Sequence, residues 1–251
     1  MIMNRKSLKL VALFAILGTT AFAQNTTDAD AAAKEKKQRE ELMKQDWACL
    51  KCFQEANAQV GAPKPGEQRV VFMGNSITIG WGNLNPEFFE GKPYINRGIS
   101  GQTTPQMLIR FRPDVINLKP KVVVILAGTN DIAGNTGYTP VETIFGNIVS
   151  MAELAKANGI RVVLSSVIPA FDYPWRKGLE PVGKIADLNQ RLENYAAKNN
   201  CVYLDYYTAM ADERKGLKAE LTSDGVHPNK AGYLVMGPLA EKAIATALKK
   251  K

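Results

Sequence analysis

The chain has 251 residues, with 32 Lys and Arg against 24 Asp and Glu, a net charge of +8, three cysteines and a single histidine. A hydrophobic fraction of 45% with 22% charged residues is ordinary for a globular protein and excludes a disordered, fibrous or disulfide-scaffold class. The single histidine, His227, excludes any site that needs two imidazoles, such as an H-E-x-x-H zinc centre.

The first 23 residues have the pattern of a secretory signal peptide. A basic start is followed by an apolar run from Leu10 to Leu17 and by a small-residue ending at Ala23. We predict cleavage after residue 23 and export of the mature protein, to the periplasm or as a secreted protein. No cysteine lies directly after the cleavage site, so a lipid anchor at that point is not expected. Removing residues 1–23 takes away three basic and no acidic residues, which lowers the net charge from +8 to +5.

Residues 24–66 are predicted to form a polar segment, a helix and a linker, ahead of a main domain over residues 67–251. Apolar residues recur every three or four positions at Met43, Trp47, Leu50 and Phe53, and this spacing predicts an amphipathic helix. The predicted helix runs from Lys34 to about Val60. Glycine and proline over residues 61–66 then end it.

The charge distribution and hydropathy bear on the partners of the protein. The remaining lysines are scattered and form no basic stripe interleaved with aromatic residues, so we expect no nucleic-acid partner. No later apolar run approaches the about 20 residues of a membrane-spanning helix, so we expect no stable membrane insertion. The oligomeric state is left open.

The three cysteines are Cys49, Cys52 and Cys201, an odd number for an exported protein. Cys49 and Cys52 have CxxC spacing, but they lie in a helical pattern rather than after a strand, and a zinc site would need further ligands. We therefore favour small, buried or half-buried side chains for all three, with Cys201 in the core. A bridge between Cys49 and Cys52 would restrain little, and the redox state is left open.

Short apolar runs alternate with helical stretches in the main domain. The predicted strands are 70–73, 94–96, 122–126, 161–164 and 202–204, and the predicted helices are 104–111, 140–157, 182–199 and 229–249. The third run has no polar alternation, which is typical of a parallel strand covered by helices on both faces. The pattern predicts one open α/β domain, in which ligands bind beyond the carboxyl ends of the strands.

Polar residues follow three of these runs and precede the last helix. Ser76 follows the first run, Gly101 the second and Asn130 the third, while Asp224 and His227 precede the final helix. A serine needs a base to take its proton, and that base works best when a carboxylate orients it. Ser76, His227 and Asp224 fit these roles. The backbone N–H groups of Ser76 and Gly101 and the Asn130 side-chain amide fit the donors of an oxyanion hole.

These motifs resemble the four blocks of the SGNH (GDSL-like) hydrolases, in the same chain order. The blocks are Gly74-Asn75-Ser76-Ile77, Gly101, Gly128-Thr129-Asn130-Asp131 and Asp224-Gly225-Val226-His227, and the resemblance covers about residues 69–248. It implies a flavodoxin-like three-layer α/β/α sandwich with a mostly parallel five-stranded sheet. It also implies ester hydrolysis through an acyl-serine, without a metal or other cofactor. Asn75 stands where the family usually has Asp, and Ile77 where it usually has Leu. We expect Asp131 to be a helix cap or a brace rather than a proton carrier.

Aromatic residues near the predicted site indicate the kind of substrate. The loop after the fourth strand is rich in aromatic residues, and we consider Phe171 and Trp175 in this loop, with Trp81, as walls that contact a small-molecule or glycan ester. Packing of the rim by the same three rings is an equally good interpretation. The resemblance implies an exported short-chain esterase, which we expect to remove acetyl groups from carbohydrates. The alternatives are a lysophospholipase-like or platelet-activating-factor-acetylhydrolase-like lipid esterase, or a catalytically silent binding module.

Overall fold

The computed structural model describes residues 44–250 together with residues 34, 37, 40 and 41. The predicted signal peptide and Met43 lie outside the described residues. The chain divides into two units, one ending at Cys49 and one beginning at Leu50. In the first unit, the six described residues from Lys34 to Gln45 are helical.

The single helix predicted from Lys34 to Val60 is wrong in its middle part. Residues 46–53 form turns, and helix α1 covers only Gln54–Val60. The backbone of Cys49 has a φ of +56°, in the left-handed region that a right-handed helix cannot contain. Trp47 and Leu50 are exposed, so they do not form the expected buried stripe.

The cysteines divide into two kinds. Cys49 and Cys52 are disulfide-bonded; Cys49 is half-buried as expected, whereas Cys52 is exposed, so the favoured interpretation of buried or half-buried side chains is wrong for Cys52. Cys201 is a free thiol that is buried directly before the last strand, which confirms its place in the core. Burial also raises the pKa of this thiol.

Five strands form one parallel sheet in the second unit. They are β1 (Val70–Gly74), β2 (Tyr94–Gly98), β3 (Val122–Ile125), β4 (Arg161–Ser165) and β5 (Val202–Leu204). Their order is β2-β1-β3-β4-β5, and each neighbouring pair is parallel. All five predicted strands are confirmed to within two residues. The order reverses direction between β1 and β3, the kind of switch point where open α/β sheets bind ligands.

Helices cover both faces of the sheet. After α1 they are α2 (Ser76–Leu84), α3 (Thr104–Asp114), α4 (Thr129–Ile132), α5 (Val141–Ala157), α6 (Pro181–Lys198), α7 (Tyr207–Met210) and α8 (Lys230–Lys249). Short 3-10 turns occupy Pro86–Phe88, Ile116–Leu118 and Ala219–Leu221. The four helices predicted in the main domain are confirmed to within three residues, whereas the sequence analysis did not predict α2.

Side chains of β1 alternate between two hydrophobic cores. Val71 and Met73 lie in one core with residues of α3, α5 and α6, while Val70 and Phe72 lie in the other with residues of α2 and α8. The fold is therefore the expected three-layer α/β/α sandwich. Within the described chain, no helix combines the length and the apolar character needed to cross a membrane.

Gly98 allows the last residue of β2 to lie directly against the start of α2. A Cβ atom at this position would stand 2.8 Å from the carbonyl oxygen of Asn75 and closer still to the backbone nitrogen of Ile79. Both neighbours are backbone atoms, which cannot turn aside as a flexible side chain would. Residue 98 therefore has to be glycine for β2 and α2 to keep this contact.

We predict that Gly98→Ala lowers the free energy of unfolding by about 1–3 kcal/mol, because the added methyl group forces the backbone of α2 to move. Chemical denaturation measures the change. Gly146→Ala in α5 is the matched control: its Cβ meets nothing within 4 Å, so the variant is expected to gain about 0.5–1 kcal/mol. An equal effect of the two substitutions would contradict the packing argument.

Candidate active site

The predicted site residues gather at the carboxyl edge of the sheet. Ser76 is the first residue of α2, two positions after the end of β1. Gly101 follows β2 and Asn130 follows β3, the two strands that flank β1. The site therefore lies over the point where the strand order reverses.

Asn75 shapes the turn that presents Ser76. Its buried side chain accepts a hydrogen bond from the backbone N–H of Ile77 at 3.0 Å and so caps α2. Its carbonyl oxygen accepts from the N–H groups of Thr78 and Ile79, each at 3.1 Å. The Nδ2 atom of Asn75 has no hydrogen-bond partner among the described residues. The cap fixes Ser76 at the first turn of the helix.

A chain of hydrogen bonds joins the three predicted catalytic side chains. The Ser76 Oγ atom lies 2.9 Å from Nε2 of His227, and Nδ1 of His227 lies 2.6 Å from Oδ2 of Asp224. With the proton on Nδ1, the imidazole donates to the carboxylate and accepts from the serine hydroxyl. The structure thus brings together residues that are about 150 positions apart in the sequence.

The loop that carries Asp224 and His227 is held by hydrogen bonds within itself. Oδ1 of Asp224 accepts from the backbone N–H groups of Val226 at 2.9 Å and His227 at 2.7 Å. The Thr222 hydroxyl lies 2.7 Å from the carbonyl oxygen of His227, and it accepts from the N–H of Gly225 at 3.0 Å. A φ of +82° at Gly225 makes the tight turn possible. Thr222 was not predicted as a site residue, because a threonine before such a loop has no distinctive spacing in the sequence.

The surroundings of Asp224 stabilise the ionised form of its carboxyl group. Partial burial alone would raise its pKa, but the hydrogen bonds from His227 and Val226 outweigh that effect, and the pKa of Asp224 lies below its usual value. A carboxylate in this state is suited to orient the imidazole and to stabilise a positive charge on it.

Two of the three predicted oxyanion residues, Gly101 and Asn130, lie on segments that contact each other. The Nδ2 atom of Asn130 donates to the carbonyl oxygen of Gln102 at 2.9 Å, and Nδ2 of Asn135 donates to that of Gly101 at 3.2 Å. Gly101 has a φ of +77°, a conformation that favours glycine. Within the described chain, no hydrogen bond from the backbone N–H of Ser76 or of Gly101 is formed, so both groups remain available as donors.

Asp131 is confirmed as a brace between α4 and α3. Both of its carboxylate oxygens lie 3.0 Å from the backbone N–H of Thr104, and Oδ1 also accepts from the Thr104 hydroxyl at 2.6 Å. The side chain is buried, and burial raises its pKa to about 6 although the hydrogen bonds from Thr104 act in the opposite direction.

Arg110 in α3 is a residue of the site that the sequence analysis missed. Its Nη2 atom donates to the carbonyl oxygens of Gly74 at 3.0 Å and Arg97 at 2.9 Å, which belong to β1 and β2. Its Nε atom donates to the side-chain oxygen of Gln102, whose backbone carbonyl orients Asn130. A completely buried arginine on an apolar helix face is the sequence signal for such a role, but sequence alone cannot identify its partners.

The three aromatic residues considered as substrate walls have different surroundings. Trp81 is only 2% exposed and stacks on Phe88 and Tyr233, so its ring is core and is not accessible to a substrate. This burial corrects its expected role. Trp175 is 45% exposed, and its ring centroid lies 5.8 Å from that of His227. Phe171 is exposed and lies under the guanidinium of Arg214, with no ring contact to the Ser76–His227 pair among the described residues.

Among the described residues, no group of three or more His, Cys, Asp or Glu side chains is arranged so that it could hold a metal ion.

Comparison with known proteins places the chain in a family. Residues 72–235 match the model of the GDSL-like Lipase/Acylhydrolase family, and the chain belongs to this family. The resemblance drawn from the four sequence blocks is thereby confirmed. The family is one of hydrolases, and its matched region contains every predicted catalytic residue.

Individual relatives agree with this membership. The crystal structure of a GDSL-like lipase from Bacteroides thetaiotaomicron is 50% identical, with a TM-score of 0.79 over 80% of this chain and 100% of that chain. An acetylxylan esterase from Geobacillus stearothermophilus is 26% identical over 57% of this chain and 67% of its own length. The uncharacterized lipoprotein YqeF of Bacillus subtilis is 32% identical over 45% of this chain, and the match covers only 53% of that lipoprotein.

The raised pKa of Asp131 leads to a prediction about pH and stability. Because the folded protein holds this proton up to about pH 6, the contribution of Asp131 to stability is complete below its ordinary pKa and declines as the pH rises through 6. Asp131→Asn removes this dependence. We expect the unfolding free energy of the wild type, relative to the variant, to fall by about 2 kcal/mol between pH 4 and pH 7. Urea denaturation across that range measures it, and a constant difference would contradict the burial argument.

Proposed function

We propose that the protein is a serine ester hydrolase that acts through an acyl-Ser76 intermediate. The observation that carries the proposal is the hydrogen-bonded chain from Ser76 through His227 to Asp224. In the first step, Ser76 Oγ attacks the acyl carbon while its proton passes to Nε2 of His227. The imidazolium then returns the proton to the departing alcohol. Water, activated by the same imidazole, releases the acid and regenerates Ser76.

The negative charge on the attacked carbonyl oxygen requires hydrogen-bond donors. We assign this role to the backbone N–H groups of Ser76 and Gly101 and to the Asn130 amide. The free N–H groups of Ser76 and Gly101 support the assignment, and so does the position of all three residues around the end of β1. The bond from Asn130 to Gln102 holds one hydrogen of the amide and leaves the second for the substrate.

For the substrate, we propose a short acyl group, acetyl in particular, carried by a carbohydrate. The acetylxylan esterase relative supports an acetylated sugar. The half-exposed indole of Trp175 beside His227 offers a flat apolar face of the kind on which sugar rings stack. A lipid ester is the alternative, and the acyl-chain preference distinguishes the two.

We also propose that the protein works outside the cytoplasm. The predicted signal peptide supports export, and so do the disulfide-bonded cysteines, because disulfides form and persist in oxidising compartments. The lipoprotein among the relatives is consistent with this location.

The substrate proposal is tested with p-nitrophenyl acetate, butyrate and octanoate, followed by acetylated xylo-oligosaccharides. We expect kcat/KM to be highest for the acetate and to fall as the acyl chain lengthens.

Ser76→Ala should reduce kcat by about 10⁴-fold or more with folding intact, because the nucleophile is lost. Ser150→Ala, on the exposed side of α5, is the matched control and should keep full activity. Preference for octanoate or for lysophospholipid would support the lipid alternative, and full activity of Ser76→Ala would rule out the acyl-Ser76 mechanism.

The oxyanion assignment has its own test. We expect Asn130→Ala to lower kcat by about 10²–10³-fold with little change in KM, because the donor acts mainly on the charge of the transition state. Asn158→Ala provides the comparison, since Asn158 donates to Leu154 in the turn before β4, at the opposite edge of the sheet. An unchanged kcat in Asn130→Ala would remove that amide from the oxyanion hole.

A further inference from the structure

A cavity of about 320 Å³ is lined in part by α4, the short helix that follows β3. We call it the basic cavity. Its walls are formed by residues 131–134 after β3, by residues 138–141 before α5, and by Arg176, Leu179 and Lys184. We propose that the basic cavity binds the carboxylate of an acidic sugar in the alcohol part of the substrate. This inference rests on the proposed esterase function and specifies its substrate class.

Two cations line the basic cavity without an acidic partner. Arg176 donates through Nη1 to the carbonyl oxygens of Ala133, at 3.0 Å, and Gly134, which fixes the guanidinium against the wall. Lys184 donates to the carbonyl oxygen of Leu179 at 2.7 Å. Neither side chain forms a salt bridge within the described part of the chain. Both positive charges therefore remain uncompensated, and an anion in the cavity would supply the missing charge.

The carboxylate of Asp131, which lines the same cavity, does not neutralise them. Asp131 is 1% exposed, and both of its oxygens accept hydrogen bonds from Thr104. The basic cavity therefore offers an incoming anion mainly positive charge.

The ends of two long helices add to the positive potential. Helix α5 begins at Val141 and helix α6 at Pro181, and residues of both first turns line the cavity. Neither helix has a side-chain hydrogen bond at its N-cap residue, Pro140 or Glu180. The amino ends of helices carry a partial positive charge, which reinforces the attraction of the two cations for an anion.

The rest of the wall suits a sugar ring rather than a bare inorganic ion. Tyr138, at the rim, is 87% exposed, an unusually open position for an aromatic side chain. Leu179 and Val141 are apolar wall residues. An aromatic rim, apolar sides and fixed cations together match the C–H faces and the carboxylate of a uronic-acid-type sugar.

The basic cavity is connected to the candidate catalytic residues through two pairs of sequence neighbours. Asp131 on the wall follows Asn130, the proposed oxyanion donor. Arg176 on the wall follows Trp175, whose ring contacts that of His227. A sugar that carries its ester at Ser76 and lies along Trp175 is thereby directed toward Arg176.

The test compares two substrates that differ only at C6, a carboxylate in one and a hydroxymethyl group in the other: the O-acetylated methyl glycoside of glucuronic acid and that of glucose. We expect the wild type to prefer the acidic sugar by about 10-fold in kcat/KM, mainly through KM, since a hydrogen bond to a charged group is worth that much. Arg176→Gln and Lys184→Met should each reduce this ratio toward one. Added salt should weaken the preference as well.

Lys177→Met is the matched control, because Lys177 is exposed, follows Arg176 and does not line the cavity. It should retain the full preference. Equal kcat/KM for the two sugars in the wild type, or an undiminished ratio in both cavity variants, would overturn the basic-cavity proposal. Failure of the wild type to hydrolyse either sugar or p-nitrophenyl acetate would instead overturn the esterase proposal.

Discussion

The buried ion pair between Arg110 and Asp114 is the interaction on which the arrangement of the strand ends depends. Neither side chain has appreciable contact with solvent, and their atoms lie 2.9 Å apart. Burying an arginine is unfavourable unless its charge is balanced and its N–H groups have partners. Here the remaining groups of Arg110 donate to the ends of β1 and β2 and to Gln102. The hydrogen bonds that the buried guanidinium of Arg110 requires thus fix the positions of the segments that carry Ser76, Gly101 and Asn130.

The candidate site consists of two parts with independent supports. One part belongs to the sheet and is tied together by Arg110. The other is the loop of Asp224 and His227, which is held by Thr222 and by its own backbone N–H groups. The two parts meet at the bond between Ser76 and His227. Because the loop is internally braced, the imidazole is oriented before a substrate arrives, and little reorganisation is needed during proton transfer.

The sequence predicted the strands and the long helices because their apolar periodicity is strong. It also predicted the residues that meet at Ser76, since parallel strands place their carboxyl ends at one edge. Helix α2 was missed because Ser76–Leu84 is short and contains two glycines, which have a low helix propensity. The role of Trp81 as a substrate wall was wrong. Its nearness in sequence to Ser76 says nothing about the direction of its side chain, which points into an aromatic core. The partners of Arg110 and the cations of the basic cavity come from distant segments, and only the folded chain brings them together.

The residue that departs from the family pattern next to the nucleophile has a consequence for the effect of acid. Where the family usually has an aspartate, this chain caps α2 with the neutral amide of Asn75. An aspartate cap would gain a proton at low pH and lose its ionic interaction with the helix start, whereas an asparagine cap does not change its charge. The N-cap interaction at the turn that presents Ser76 therefore stays the same when the pH falls.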